Sequence, residues 1–239
     1  MSALDPRLFG EPPARDQRFR VRERWEELDN FPAEHPLHQL EFLHRQMNEE
    51  VNGLEIAARN LTDFPEADWE LRLAIARQCW DEARHVELFR TAFERRGGRV
   101  GQFAVMNFQY RIAAKLDSLV GRLTVQNRSF EAAGLDAIDD SIGKAHAAGE
   151  PELAELLDAQ LADELQHVRY ANEWVARLVE RRGARASFEL VRCVAQADEA
   201  LRQVAGEAAV RYPIAEQLRR EAGFSDGEIE AVKTLPGRS

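Results

Sequence analysis

The sequence predicts an all-α fold: a four-helix bundle of two helical hairpins joined by one long crossover, with extra C-terminal helices. Three observations predict it. Four long segments carry apolar residues at alternating steps of three and four, the period of a buried helix face. Short links join the first segment to the second and the third to the fourth, whereas a long stretch separates the two pairs. Two motifs of the first pair also recur in the second pair.

The first helix is predicted to follow an irregular N-terminal arm. Residues 1–36 hold five of the nine prolines and show no sustained apolar period. From Leu37 onward the three-four pattern begins, and it stops at the link TDFPEAD, whose proline cannot continue a helix. In this link Asp68 is placed to cap the next helix.

The remaining long helices are bounded by glycine and by polar links. The second pattern ends at Gly97-Gly98, where glycine readily adopts the left-handed conformation that closes helices. The third runs from Leu116 to Ile138, and the fourth ends near Gly183. We therefore place the four-helix bundle over residues 37–182. The stretch between the second and third helices is long enough to travel back along the bundle.

The C-terminal part is predicted to be a helical appendage over residues 183–239. An amphipathic pattern follows Gly183, Pro213 interrupts it, and Ser225 with Glu228 forms a capping box for a last short helix. The sequence assigns no chemistry to this appendage.

Composition excludes several function classes. The formal net charge of −10 argues against nucleic acid and anionic membrane as partners, because both require a cationic surface. The two cysteines form no disulfide framework, and no apolar run approaches the length that spans a bilayer. The N-terminus also lacks the basic and apolar stretches of a secretory signal. The protein is therefore predicted to be cytoplasmic.

An internal repeat relates the two halves of the bundle. Residues 81–86, DEARHV, match residues 163–168, DELQHV, at an offset of 82. Residues 50–55, EVNGLE, match residues 131–136, EAAGLD, at an offset of 81. Two motifs with nearly the same offset indicate a duplicated helical hairpin.

The repeat places acids and histidines on apolar stripes near the midpoints of the helices. Burying four carboxylates together is unfavourable unless cations compensate them, and two divalent metal ions balance four negative charges. A Glu and a His three residues apart on one helix can present an oxygen and a nitrogen to the same point. Glu from two helices with Glu-x-x-His from two others is the ligand set of dinuclear iron and manganese bundles. The predicted metal ligands are Glu50, Glu82, His85, Glu131, Glu164 and His167.

Helix one offers an alternative ligand, because Glu49 is adjacent to Glu50. We prefer Glu50 since it continues the apolar stripe and aligns with Glu131 in the repeat. Glu49 would point about 100° away.

Two stretches carry a family resemblance. The motif Asp-Glu-Ala-Arg-His at residues 81–85 is similar to the Asp-Glu-x-Arg-His motif of bacterial multicomponent monooxygenases. NEEVNGLEIAARN and QCWDEARHVELF resemble a functionally unassigned family of bacterial ferritin-like proteins. Residues 37–182 therefore resemble the ferritin-like superfamily of di-iron carboxylate four-helix bundles.

The resemblance implies roles for the ligands and an identity for the metals. Glu50 and Glu131 would be terminal ligands. Glu82 and Glu164 would bridge two iron ions, with manganese or a mixed manganese and iron centre as the alternative. His85 and His167 would supply one imidazole to each metal.

Further residues are predicted to lie beside the metals: Asp81, Asp163, Arg84, Gln78, Gln160 and Tyr170. The aspartates could accept ring N–H bonds from the histidines, and the arginine could pair with one of these aspartates. Alternatively, the two aspartates are solvated surface acids and the arginine is exposed. The glutamines would then belong to ordinary helix packing, and the tyrosine to the core. Four histidines without a repeat partner are predicted at the surface: His35, His38, His44 and His146.

The predicted function is a dinuclear non-haem metal oxidase or oxygenase that activates O₂ to oxidise a small organic substrate. The alternatives are a ferroxidase or other iron-handling protein, and a metal-stabilised binding protein without turnover. The duplicated Glu-x-x-His motif, the arm and the extra helices favour the enzyme. Such an enzyme would use an electron-donor protein, and a homodimer is compatible with the sequence. The sequence does not identify catalytic residues beyond the metal ligands.

Overall fold

The computed structural model describes residues 4–205 and 212–234, and the prediction of an all-α bundle fold is confirmed. Two three-residue strands, a 3₁₀ turn at Trp25–Glu27 and a π-helical turn at Gln126–Glu131 accompany the helices. The strands are β1 Arg20–Arg22 and β2 Ala104–Met106. The helices are α1 His38–Asp63, α2 Trp69–Arg95, α3 Phe108–Lys115, α4 Leu119–Val125, α5 Ala132–Ala147, α6 Pro151–Arg182, α7 Ala184–Ala205, α8 Glu216–Glu221 and α9 Asp226–Lys233.

The chain divides into two compact units: Met1–Leu119 with Cys193–Ala209, and Val120–Arg192 with Val210–Ser239. The predicted arm, bundle and appendage boundaries stay a prediction. Across residues 4–205 and 212–234, every helix is too short or too polar to cross a membrane.

The first unit is built on the hairpin of α1 and α2. Apolar residues of both helices are almost completely buried: Leu43, Met47, Ile56, Leu71, Ile75, Phe89 and Phe93. Their removal from water is the main favourable contribution to packing the two helices together. At the hairpin link, Arg72 donates hydrogen bonds to the carbonyls of Leu61 and Phe64, which satisfies acceptors that the end of α1 leaves without helical partners.

The crossover after α2 runs along α1. Its strand β2 pairs in parallel with β1, with Arg20 opposite Ala104. The Met106 carbonyl accepts a hydrogen bond from the amide of Asn48, and farther on Arg59 of α1 donates to the Tyr110 hydroxyl. The segment therefore follows α1 in the same direction, as the predicted return along the bundle requires. The strand pair itself was missed, because three residues are too few to show a period of two.

Apart from its first residue, a continuous helical stretch at residues 119–147, formed by α4, the π-helical turn and α5, lies in the second unit. This stretch and α6 form the second hairpin. The short helices α8 and α9 pack against this hairpin through a buried cluster of Ala132, Leu135, Val168, Ala222, Phe224 and Ile229. The α8–α9 segment thus shares a hydrophobic core with the second hairpin.

One histidine prediction is wrong. His44, predicted at the surface, is 0% exposed and packs against the rings of Phe93 and Phe103. Its Nε2 accepts a hydrogen bond from the Gly101 N–H at 2.8 Å. The backbone that buries it comes from the crossover, so the period of α1 alone could not reveal the burial.

Candidate metal site

The hairpin of the first unit brings Glu50 of α1 together with Glu82 and His85 of α2. Their ligand atoms lie within 4.8 Å of one another, and the three residues are 6%, 3% and 0% exposed. Nδ1 of His85 lies 3.0 Å from Oε2 of Glu50 and 3.6 Å from Oε2 of Glu82. The antiparallel hairpin aligns the midpoints of its helices, and the spacing of three places Glu82 and His85 on one face. We call these three residues the first triad.

Two neighbours determine where the Glu82 carboxylate lies. The Gln78 amide donates a hydrogen bond to Oε1 of Glu82 at 2.9 Å. A Cβ atom added to Gly53 would lie 2.8 Å from the same oxygen, closer than side-chain carbons approach. Gly53 therefore leaves the space that this carboxylate fills.

The second unit forms an equivalent cluster from Glu131, at the end of the π-helical turn, with Glu164 and His167 of α6. Their ligand atoms also lie within 4.8 Å of one another, and the residues are 8%, 6% and 2% exposed. Nδ1 of His167 lies 3.4 Å from Oε2 of Glu164. We call these residues the second triad.

The π-helical turn supplies hydrogen-bond donors to Glu131. The Asn127 amide donates to Oε2 at 2.7 Å, and the Gln126 amide donates to Oε1 at 3.3 Å. The same Asn127 amide lies 3.4 Å from the Tyr170 hydroxyl. Asn127 and Gln126 are not among the predicted site residues. The only sequence feature that points to Asn127 is its position as a polar residue on a buried stripe. No sequence feature points to Gln126.

The chemistry of each triad fits a divalent transition metal. Each triad holds two carboxylates and one imidazole, and these residues are at least nine-tenths buried. Two carboxylates this close repel each other in a dry environment, and a divalent cation between them removes that repulsion. Carboxylate oxygen and imidazole nitrogen are ligands that iron and manganese accept. Either triad can therefore hold one metal ion.

The structure separates Glu49 from the first triad. The Arg45 guanidinium lies 3.4 Å from the Glu49 carboxylate, and burial raises the pKa of Glu49. Glu50 is the acid that lies beside His85, and its selection over Glu49 as a metal ligand stays a prediction.

The other predicted neighbours occupy varied environments. Asp81 is buried and pairs with Arg77 at 2.8 Å and with Arg84 at 3.7 Å. Gln160 is 2% exposed, whereas Asp163 and Tyr170 are partly buried. The role of these residues beside bound metals stays a prediction.

The comparisons with known proteins give one match. Residues 4–230 match a protein-family model described as "Protein of unknown function (DUF455)". Comparisons with curated proteins and with solved structures found no match. The matched region contains both triads.

Proposed function

The chain belongs to the family described as "Protein of unknown function (DUF455)", and we propose that it is a ferritin-like dinuclear non-haem metal oxidoreductase. It would activate O₂ at two iron ions to oxidise a small organic substrate. The observation that carries this proposal is the presence of two buried triads of the same composition at repeat-related positions. A duplicated, buried arrangement of ligands is far more specific than a single Glu-x-x-His sequence.

Six residues would hold the two metals of the proposed centre. As the family resemblance implies, Glu50 and Glu131 would be terminal ligands, and His85 and His167 would supply one imidazole to each metal. Glu82 and Glu164 would be the bridging carboxylates. Four carboxylates then balance two divalent ions, which accounts for the burial of all six side chains. The ligand atoms fit manganese or a mixed centre as well as iron.

When bound, two ferrous ions would supply two of the electrons that reduce O₂, and the organic substrate would supply two more as it is oxidised. The chain's own residues hold and orient the ligands. Gln78 directs one oxygen of Glu82, and Asn127 directs one oxygen of Glu131. Such partners of ligating carboxylates tune metal affinity. Continued turnover requires an electron donor, which we propose to be a separate protein.

Two structural features favour an enzyme over an iron-handling protein. The N-terminal arm adds a strand to the crossover of the first unit, and α8 and α9 extend the core of the second unit. A protein that only oxidises and passes on iron needs little beyond the hairpins. Added segments are suited to enclosing a substrate.

Metal analysis tests the centre. Protein produced in iron-replete cells should contain two transition-metal ions per chain. The variant Glu164→Ala should lose at least one of them, whereas the control Glu173→Ala should keep both, because Glu173 is exposed on the same helix. Absence of metal from the wild-type protein, or retention of both ions by Glu164→Ala, contradicts the proposal.

Rapid mixing of the diferrous protein with O₂ tests the reaction. An oxygenase should oxidise its iron slowly alone and faster with a bound organic substrate, and each chain should consume two Fe(II). Continued oxidation of many added Fe(II) per chain would instead identify an iron-oxidising protein. A loaded centre that stays inert toward O₂ in both experiments would leave only the metal-stabilised binding protein.

A further inference from the structure

Helix α2 exposes an apolar stripe on the side away from the first triad. Four large residues on this stripe are exposed: Trp69 by 66%, Leu73 by 53%, Trp80 by 64% and Leu88 by 40%. Their spacings of four, seven and eight residues place them on one helix face. Seven large apolar residues are exposed in the described part of the chain, so more than half of them lie on this helix.

Near its midpoint, α2 departs from the pattern of an ordinary surface helix. Its interior face carries Gln78, Glu82 and His85, which are at most 3% exposed, while its solvent face carries two indoles. Burial of the polar face is explained by the triad. No contact within the described residues explains the exposed indoles, and a contiguous apolar surface of this kind marks an interaction site.

Charged residues on the stripe show which partner fits. Glu70 lies near the start of α2, and Arg77 and Arg84 follow toward its other end. Ala76 is exposed between them. The stripe therefore carries acidic, cationic, aromatic and small residues on one surface, so it can be complementary to itself.

We propose that this stripe is the interface of a homodimer, in which α2 packs antiparallel against α2 of a second copy. The twofold axis passes between Ala76 and Arg77. The small side chain of Ala76 allows the helices to approach, and the charge of Arg77 is paired with Asp81 of its own helix. This arrangement places Leu73 against Trp80 of the second copy. Glu70 and Trp69 then lie beside Arg84 of the second copy, which forms an ion pair and a cation–π contact. Because the dimer is symmetric, each of these contacts occurs twice.

The available area is consistent with a dimer of moderate strength. Two largely exposed indoles and two leucines offer on the order of 500 Å² per copy, judged from the usual area of aromatic side chains. Two copies would then bury roughly 1,000 Å² before flanking residues are counted, which is the lower end for specific interfaces. An unrelated acidic or basic partner would match only one sign of the stripe's charge.

Sedimentation velocity of the full-length protein tests the proposal, over roughly 1 to 200 μM to span micromolar affinities. The wild-type protein should shift from monomer to dimer in this range. The variant Trp80→Glu should stay monomeric with an unchanged far-ultraviolet circular dichroism spectrum. The control Phe188→Glu should dimerise like the wild type, because Phe188 is 70% exposed on α7.

A charge exchange tests the register. Glu70→Arg should weaken the dimer at least tenfold, and adding Arg84→Glu should restore most of the affinity, because each ion pair re-forms with reversed sign. A monomeric wild-type protein at every concentration overturns the homodimer. A dimer that resists Trp80→Glu, or that Phe188→Glu disrupts equally, overturns this interface. None of these readouts depends on bound metal or on activity.

Discussion

Arg219 of α8 binds Asp136 of α5 through two hydrogen bonds, of 2.9 and 2.7 Å, and both side chains are buried. The equivalent acid in the first repeat is Glu55, which pairs with Arg15 of the N-terminal arm. Each acid lies five residues after the Glu that its helix contributes to a triad. The two terminal segments thus attach to the repeat at equivalent positions, each through an arginine.

Replacing Arg219 with Met should lower the free energy of unfolding by about 3–5 kcal/mol, because it leaves the Asp136 carboxylate buried without its cation. Urea denaturation followed by circular dichroism measures this change. Arg220→Met is the matched control, since Arg220 is nearly half exposed and its solvated ion pairs should contribute little to stability. An equal decrease in the free energy of unfolding of both variants would show that the buried ion pair stabilises the protein no more than the exposed pairs do.

Gly53→Ala should weaken metal binding by about 10–100-fold, because the added methyl group occupies the space of the Glu82 carboxylate. Titration of the metal-free protein with Fe(II) or Mn(II) measures the affinity. Gly134→Ala is the repeat-matched control: its Cβ would meet no described atom within 4 Å. The same substitution should therefore be tolerated in one repeat and harmful in the other. Similar affinities for both variants would contradict the proposed role of Gly53.

Removal of the metals should destabilise the protein. A ligand that binds only the folded state at 100 times its Kd contributes about 2.7 kcal/mol. For a chain of this size, that corresponds to a decrease in Tm of roughly 5–10 °C. Scanning calorimetry before and after chelation, followed by reloading with Fe(II) under anaerobic conditions, measures the decrease and its reversal. An identical Tm in all three samples would argue against metal ions among the buried acids.

His44 should make stability depend on pH. Burial, and after it the charge of Arg20, lowers the pKa of His44 to about 4, whereas the ring in the unfolded chain keeps its ordinary value near 6.5. The unfolded state therefore binds a proton first, so stability is lost as the pH falls from about 6.5 to about 4. The loss from this residue is at most about 3 kcal/mol.

His44→Gln keeps an acceptor for the Gly101 N–H and cannot be protonated in this range. Denaturation curves between about pH 7 and pH 4 should consequently be less pH-dependent in this variant than in the wild type. His146→Gln, at an exposed position, should leave the wild-type dependence unchanged. A variant profile parallel to that of the wild type would assign the acid sensitivity to other groups.

Features that depend on the spacing of residues within a single helix could be predicted best from the sequence. The spacing of three between Glu82 and His85 lies within a single helix, so their common face could be predicted. The preference for Glu50 over Glu49 followed from the same periodicity. Short links predicted the hairpins, because a chain that turns within a few residues must place consecutive helices side by side.

Features that depend on distant backbone could not be predicted in this way. His44 is buried by the crossover, and Asn48 is held by the Met106 carbonyl, fifty-eight residues away. Gln126 reaches Glu131 only because the intervening helix is π-helical. Residue type and period carry no information about such contacts.

The π-helical turn also affects the direction in which the residues around Glu131 face. A π turn accommodates one additional residue inside an α-helix, so the helix on one side rotates by about 100° relative to the other. Single-residue insertions or deletions near Glu131 can thus be absorbed locally, while the more distant helical faces keep their packing. A sequence change in such a turn can alter the direction of one ligand and of its hydrogen-bond donors while the surrounding helices keep their positions.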